Sequence, residues 1–195
     1  DAQFEESDAG ISDEIRASVA DINALAYSVA NLNTRIVDRG RADNPHNDLL
    51  DQRDQVVREL AELTGITTVD QDHGAIAVFT GRGHPLVTGN TVSELQAVAN
   101  PFDPTRLEIA NSAGFNITAT LTGGSIGGLL SFRAQILDPS ANALGRVAAG
   151  LVETVNAQHR LGLDFNGNLG TDFFASAPPS VTANSANAGG TVTGA

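Results

Sequence analysis

The chain has 195 residues, enough for one large or two small domains, and its 41% hydrophobic share can fill a core with only 5% aromatics. The absence of Cys excludes disulfides and thiolate metal sites. A net charge of −12 argues against nucleic acid or an anionic membrane as partner, and no run approaches the roughly 20 apolar residues of a membrane span.

Met is also absent, so the chain is expected to be a piece of a longer one. All eleven basic residues are Arg, which reads as codon bias. Residues 11–39 are predicted to form one long helix. Ile15, Val19, Ile22, Ala26, Val29, Asn33 and Ile36 alternate four-three along it, as in a coiled-coil seam. Asn33 is the one polar member, of the kind that fixes register. Leu25 and Leu32 broaden the stripe. At ~1.5 Å per residue this helix would span roughly 40 Å, which suits an elongated molecule.

A short loop, residues 40–46, leads to a second predicted helix at 47–64, with Asn47 or Asp48 as its N-cap and Gly65 as a left-handed terminator. Leu49, Val56, Leu60 and Leu63 form its apolar stripe, and Arg53 is the polar residue on that stripe. Arg53 either snorkels to solvent or holds a specific pair with a carboxylate or with backbone carbonyls. Two helices joined by a short loop imply an antiparallel hairpin.

Beyond Gly65 the period changes. Strands are predicted at 66–69, 75–79, 86–87, 94–98, 107–109 and 116–121, separated by turn-rich segments at 70–74 and 81–85 and by a Pro-bounded loop at 100–104. Helical character returns at Ser125, which can cap a helix through Leu129, Leu130, Phe132, Ile136 and Leu137. Asp138-Pro139 interrupts it, with Asp138 as the cap of a further helix carrying Leu144, Ala148, Leu151 and Val155 and ending near Gly162. The expected class is therefore α+β: an elongated bundle of long antiparallel helices, discontinuous in sequence (residues 1–64 and 125–175), with a small antiparallel β domain inserted at 65–124. Residues 176–195 read as a linker or the start of a further β domain. The last helices are expected to return onto the first hairpin.

Two motifs suggest chemistry. Gly123, Ser125 and Gly127 spell G-x-S-x-G between a strand and a helix, the setting of a hydrolase nucleophile elbow. His159 is the only His after it, and an extended helix would hold it tens of Å away, whereas a triad needs contact at about 3 Å. Asp164-Phe165-Asn166-Gly167-Asn168 resembles the first half of a calcium loop, but Leu169 and Ala175 occupy the positions where an EF-hand wants Gly and Glu. An Asx/Gly turn fits those residues as well. Gly81-Arg82-Gly83 lacks the third Gly of a dinucleotide fingerprint, and His46, His73, His84 and His159 show no ligand spacing. A serine hydrolase and a calcium-binding extracellular module thus stand as alternatives to a structural protein.

Four ordered stretches carry a family resemblance. NDLLDQRD at 47–54, GSIGGLLSFR at 124–133, NALGRVA at 142–148 and NAQHRLGLDFNGNLGTDFF at 156–174 resemble the flagellar hook-associated protein 1 family, the hook–filament junction proteins. The resemblance runs from about residue 11 to 175. It implies a non-enzymatic structural protein with no catalytic residues, cofactor or metal. It also implies type III export to the extracellular flagellum and assembly with copies of itself in a junction ring, with hook protein and with the neighbouring hook-associated protein or filament. The family's terminal heptad segments are not found in these 195 residues, so the isolated piece is expected to be monomeric.

Overall fold

The computed structural model describes residues 2–41, 47–175 and 183–184. Most of the predicted loop 40–46 and all but two residues of the predicted tail 176–195 lie outside the described residues. The fold is α+β, mostly helical with small antiparallel sheets.

Helix α1 (Ala2–Arg41) is longer than its apolar seam predicted, because its first two turns carry acidic residues rather than the stripe. Every member of the four-three seam is buried, from Ile15 to Ile36 and including Asn33. Helix α2 (Asn47–Leu63) lies antiparallel to it: Leu49 packs with Leu32 and Ile36, and Arg39 lies 3.6 Å from Asp48.

A four-stranded antiparallel sheet follows, in the order β1 (Ile66–Asp70), β2 (Ile76–Thr80), β3 (His84–Thr88), β4 (Thr91–Val92). Its β2 strand is almost wholly buried. Pro85 is accommodated within β3 because the β2–β3 register slips between Val78 and Phe79 beside it, a bulge that spares the missing N–H. A second antiparallel pair, β5 (Gln96–Ala99) and β6 (Leu107–Ala110), completes the β region.

The strand predicted at 116–121 is instead a 3-10 turn, Thr118–Thr120, after a single bridge from Asn116 to Ala110. The cause is local side-chain bonding. Asn116 Oδ1 accepts the Thr118 N–H, and the Thr120 hydroxyl donates to the Ile117 carbonyl, which closes the backbone on itself.

The β region is not an appendage of the hairpin's end; it lies along α1. Ile76, Val78, Leu86, Val87, Leu95, Ile109, Ile117 and Leu121 share one core with Ile11, Ile15, Val19, Ile22, Ala26 and Val29. Each fully buried aliphatic side chain contributes about 1.5–3 kcal/mol. Polar side chains of α1 fix the register at three stations. Ser12 Oγ accepts the Leu107 N–H at 3.4 Å. Asn23 grips both backbone groups of Leu95, at 2.8 and 2.9 Å. Asn33 grips both groups of Ile76, at 2.8 and 3.1 Å. The stations sit about three helical turns apart.

Helix α3 (Gly124–Phe132) begins where α2 ends and continues along α1 toward its start, with Leu129 and Phe132 near Ile11 and Ser7. The two helices thus form one spliced partner for α1, and the β region is inserted at the splice. The splice depends on glycine. Gly65 is not left-handed, as the sequence suggested; its role is contact. A Cβ on Gly123 would lie 2.6 Å from the Gly65 Cα, and one on Gly124, which has φ +68°, would lie 2.5 Å from Leu63 and Thr64 backbone. Ser125 does not cap its own helix either, since α3 has no side-chain cap. Its hydroxyl points instead to the last carbonyl of α2, Leu63, at a long 3.5 Å.

The interruption predicted at Asp138-Pro139 is a widened turn within a continuous helix. A π turn, Arg133–Leu137, joins α3 to α4 (Asp138–Arg160), and the Asp138 N–H reaches back five residues to Arg133. Pro139 has no N–H and its ring would clash with the carbonyl four residues back, so the extra residue relieves both problems. Asp138 is not a cap; its carboxylate is taken by Arg106, at 2.7 and 3.0 Å. Of the two expected returning helices, α3 packs on the hairpin. α4 lies beside α1 at Ala141, near Phe4 and Glu5, and its stripe beyond that point is left uncovered by the described residues.

Candidate assembly surface

The stripe predicted on α4 forms, but within this chain it is open. Leu144, Val147 and Leu151 are 47, 69 and 57% exposed, and Ala148 is exposed beside them. Single exposed leucines are ordinary, but a helical row of apolar residues on one face marks a contact surface.

Exposed apolar residues recur in the segment after α4. Asn156, almost wholly buried, holds this segment in place: its Oδ1 accepts the N–H groups of Phe173 and Phe174, and its Nδ2 donates to the Phe174 carbonyl, all at 2.9 Å. His159 Nδ1 donates to the Thr171 carbonyl at 2.6 Å, and its ring lies 5.6 Å from that of Phe173. Phe173 and Phe174 meet edge to face at 4.9 Å. Arg160 pairs with Asp172 at 2.5 Å. That hydrogen bond holds the Asp172 carboxyl below its ordinary range and raises Arg160. The doubled-back segment displays Leu161, Leu163, Phe165, Leu169 and Phe173, each more than 60% exposed. Asn156 opens the fourth resembling stretch, but its role as a clasp was not foreseen; the local signal was an Asn beside the apolar row, where helix propensity disfavours it.

The residues that suggested chemistry are not brought together. Ser125 sits at the start of α3, while His159 lies near the far end of the 23-residue α4, roughly 30 Å of helix beyond Asp138, and is bound to its own loop. Gly127 is placed by contact, since a Cβ there would lie 2.5 Å from the Thr122 carbonyl carbon. Both Gly123 and Gly127 are therefore explained by packing.

Asp164 spends its carboxylate on its own turn. Oδ1 accepts the N–H groups of Asn166 and Asn168 at 2.8 Å, and Oδ2 accepts the Asn168 amide at 3.0 Å. Those bonds, the Asn168 amide first, hold its pKa below the ordinary value. Among the described residues no group of three His, Asp or Glu side chains is disposed to hold a metal. No described helix is long and apolar enough to cross a membrane. Arg53 takes the specific option rather than snorkelling: it is 9% exposed and donates to the Gly74 carbonyl at 2.6 Å.

The comparisons with known proteins agree in direction. A family model described as the flagellar hook-associated protein FlgK helical domain matches residues 1–174. The chain belongs to the FlgK family. It is 42% identical over 200 residues to flagellar hook-associated protein 1 of Salmonella typhimurium, covering 98% of this chain and 36% of that protein. It is 40% identical over 204 residues to the protein of that name from Escherichia coli, covering 100% of this chain and 37% of the relative. The solved structure of the flagellar hook junction protein FlgK from Burkholderia pseudomallei superposes with a TM-score of 0.87 at 36% identity, over 97% of this chain and 35% of that one. The chain thus spans about a third of the length of these FlgK relatives.

Proposed function

We propose that this chain is the central helical part of a non-enzymatic adaptor at the hook–filament junction of the bacterial flagellum. The carrying observation is the family match over residues 1–174, supported by the fold agreement at 36% identity with a structure named as a flagellar hook junction protein. In this reading the α4 row and the loop behind it meet another helix of the assembled flagellum. Neighbours of the kinds expected are copies of the same protein, hook protein and the next hook-associated protein or filament, in an extracellular assembly.

The elongated bundle belongs to the same proposal. The spliced α2–α3 helix already runs along α1, and covering the α4 row would extend that arrangement along one axis. The proposed division is into a helical part (1–64 with 125–175) and a β part (65–124), with residues 176–195 as a linker or the start of a further β domain. The direct test is genetic. A strain lacking the full-length protein should grow hooks without attached filaments, and a copy with Leu144, Val147 and Leu151 changed to Ser should restore attachment poorly. Normal filaments in the deletion strain would end the reading.

A further inference from the structure

Arginine carries five N–H donors in a rigid fork and keeps its charge in proteins. A buried guanidinium therefore needs acceptors, and ordinarily a carboxylate, close at hand. Arg133, at the start of the π turn, is only 5% exposed and lacks that carboxylate. Its one hydrogen bond among the described residues runs from Nη1 to the Leu107 carbonyl, at 3.0 Å. None of the ion pairs among the described residues includes it. The two carboxylates that share its surroundings are engaged elsewhere. Asp138 holds Arg106, and Glu108 accepts the side-chain amides of Asn100 and Asn116, one on each oxygen. Burial first, and then the charge of Arg106, lowers the Arg133 pKa. The surroundings of Arg133 are thus short of negative charge.

The unused part of the fork faces a cleft of about 550 Å³ between the β5–β6 pair and the end of α3, which Arg133 lines. Its Nε and Nη2 have no protein acceptor and are not sealed off, so they open on that cleft. Arg106, whose Nη1 makes no hydrogen bond, lines the same cleft. We propose that the cleft is a binding site for one carboxylate, seated on the free donors of Arg133 and Arg106. The planar fork matches a carboxylate with two parallel hydrogen bonds. Asp138 and Glu108 already balance the two arginines in formal charge, so the selection is by hydrogen-bond geometry rather than by net charge. Chloride, a single round ion, cannot reproduce that geometry. A small free carboxylate and an acidic side chain of a second copy present the same atoms to the cleft. The site does not rest on the adaptor reading, and it is measured on this chain alone.

The test follows the Nε–H signal of Arg133 by NMR in the isotope-labelled chain, identified by its loss in Arg133→Gln. Sodium acetate should move it along a curve that saturates. Sodium chloride at the same ionic strength should not, and exposed Arg82 should respond to neither. Arg133→Lys keeps the charge and a donor for Leu107 but loses the fork. It should weaken acetate binding at least about tenfold, read from the backbone N–H signals of Asn116 and Thr118 in the cleft. Dilution separates the two sources of carboxylate. If the ligand is a small free carboxylate, the Arg133 signal in acetate-free buffer is the same at every chain concentration. If it is an acidic side chain of a second copy, the signal moves with chain concentration and acetate reverses the movement. Either result upholds the site. The parent chain alone decides: an Arg133 signal that moves in no arm, or moves in acetate no more than in chloride, would overturn it.

Discussion

The Asn33 side chain pairs with the backbone of Ile76 as a neighbouring strand would, donating to its carbonyl at 2.8 Å and accepting its N–H at 3.1 Å. The same Nδ2 also donates to the Gly89 carbonyl at 2.8 Å. The pairing with Ile76 is buried and the bond to Gly89 partly so, with Asn33 only 1% exposed. Asn33→Ala should cost about 3 kcal/mol, since each stranded buried group costs about 1–3 kcal/mol. Asn33→Leu, the residue a plain helical seam would prefer, should rescue nothing. Urea midpoints read both, and a Leu variant as stable as the parent would show that the pairing with Ile76 adds no stability.

The splice between α2 and α3 predicts opposite outcomes for neighbouring glycines. Gly123→Ala pushes a methyl to 2.6 Å from the Gly65 backbone and should cost at least about 2 kcal/mol. Gly128 and Gly150 are helical and a Cβ on either meets nothing within 4 Å, so Ala there should stabilise by up to about 1 kcal/mol. Thermal melts of the three variants test the contrast. If all three behaved alike, close approach would not be the reason for glycine at the splice.

Arg53 anchors the β1–β2 connection to α2 through Gly74. Arg53→Leu keeps an apolar stem but removes the charge-assisted bond to the Gly74 carbonyl, and should cost about 2 kcal/mol. A neutral or stabilising result would restore the snorkelling reading. Arg53→Lys should recover part of the loss, because a lysine can still donate but without the rigid guanidinium fork.

These cases also show how far the sequence could be read. The α1 seam was legible because its apolar spacing is unbroken, and each seam residue is buried. What the seam packs against was not legible. Asn33 has the same spacing whether it faces a helix or a strand, and Asn23 lies off the seam altogether. The G-x-S-x-G glycines gave a pattern for either an elbow or a tight splice, and only the contact of Gly65 with Gly123, 58 positions apart in sequence, separates the two. The π turn was visible only as the trouble Pro139 makes. The α4 row was found by its period, but periodicity says nothing about whether a partner is present.

The doubled-back segment after α4 should respond to acid in one direction only. Asp172 is held below its ordinary value of 3.8 by the Arg160 hydrogen bond, so its contribution is complete above that pH. It fades as pH falls through the lower folded value. A carbon-detected titration of the Asp172 carboxyl should give a midpoint below 3.8, and Arg160→Gln should return it to the ordinary range. A midpoint at or above 3.8 in the parent chain would show that the pair does not persist in solution.

The spliced helix also sets an order of folding. Its halves meet across Leu63 and Ser125, 62 residues apart, so joining them closes a loop whose length-dependent entropy is about 3–4 kcal/mol. α1 can pair with α2 early, through contacts close in sequence, but α3 can dock only after the intervening chain has been drawn in. The β region, gripped by Asn23 and Asn33, shortens that search. Slow, non-local closure at one glycine contact is then the expected rate-limiting step, and Gly123→Ala should slow folding as well as weaken the folded state.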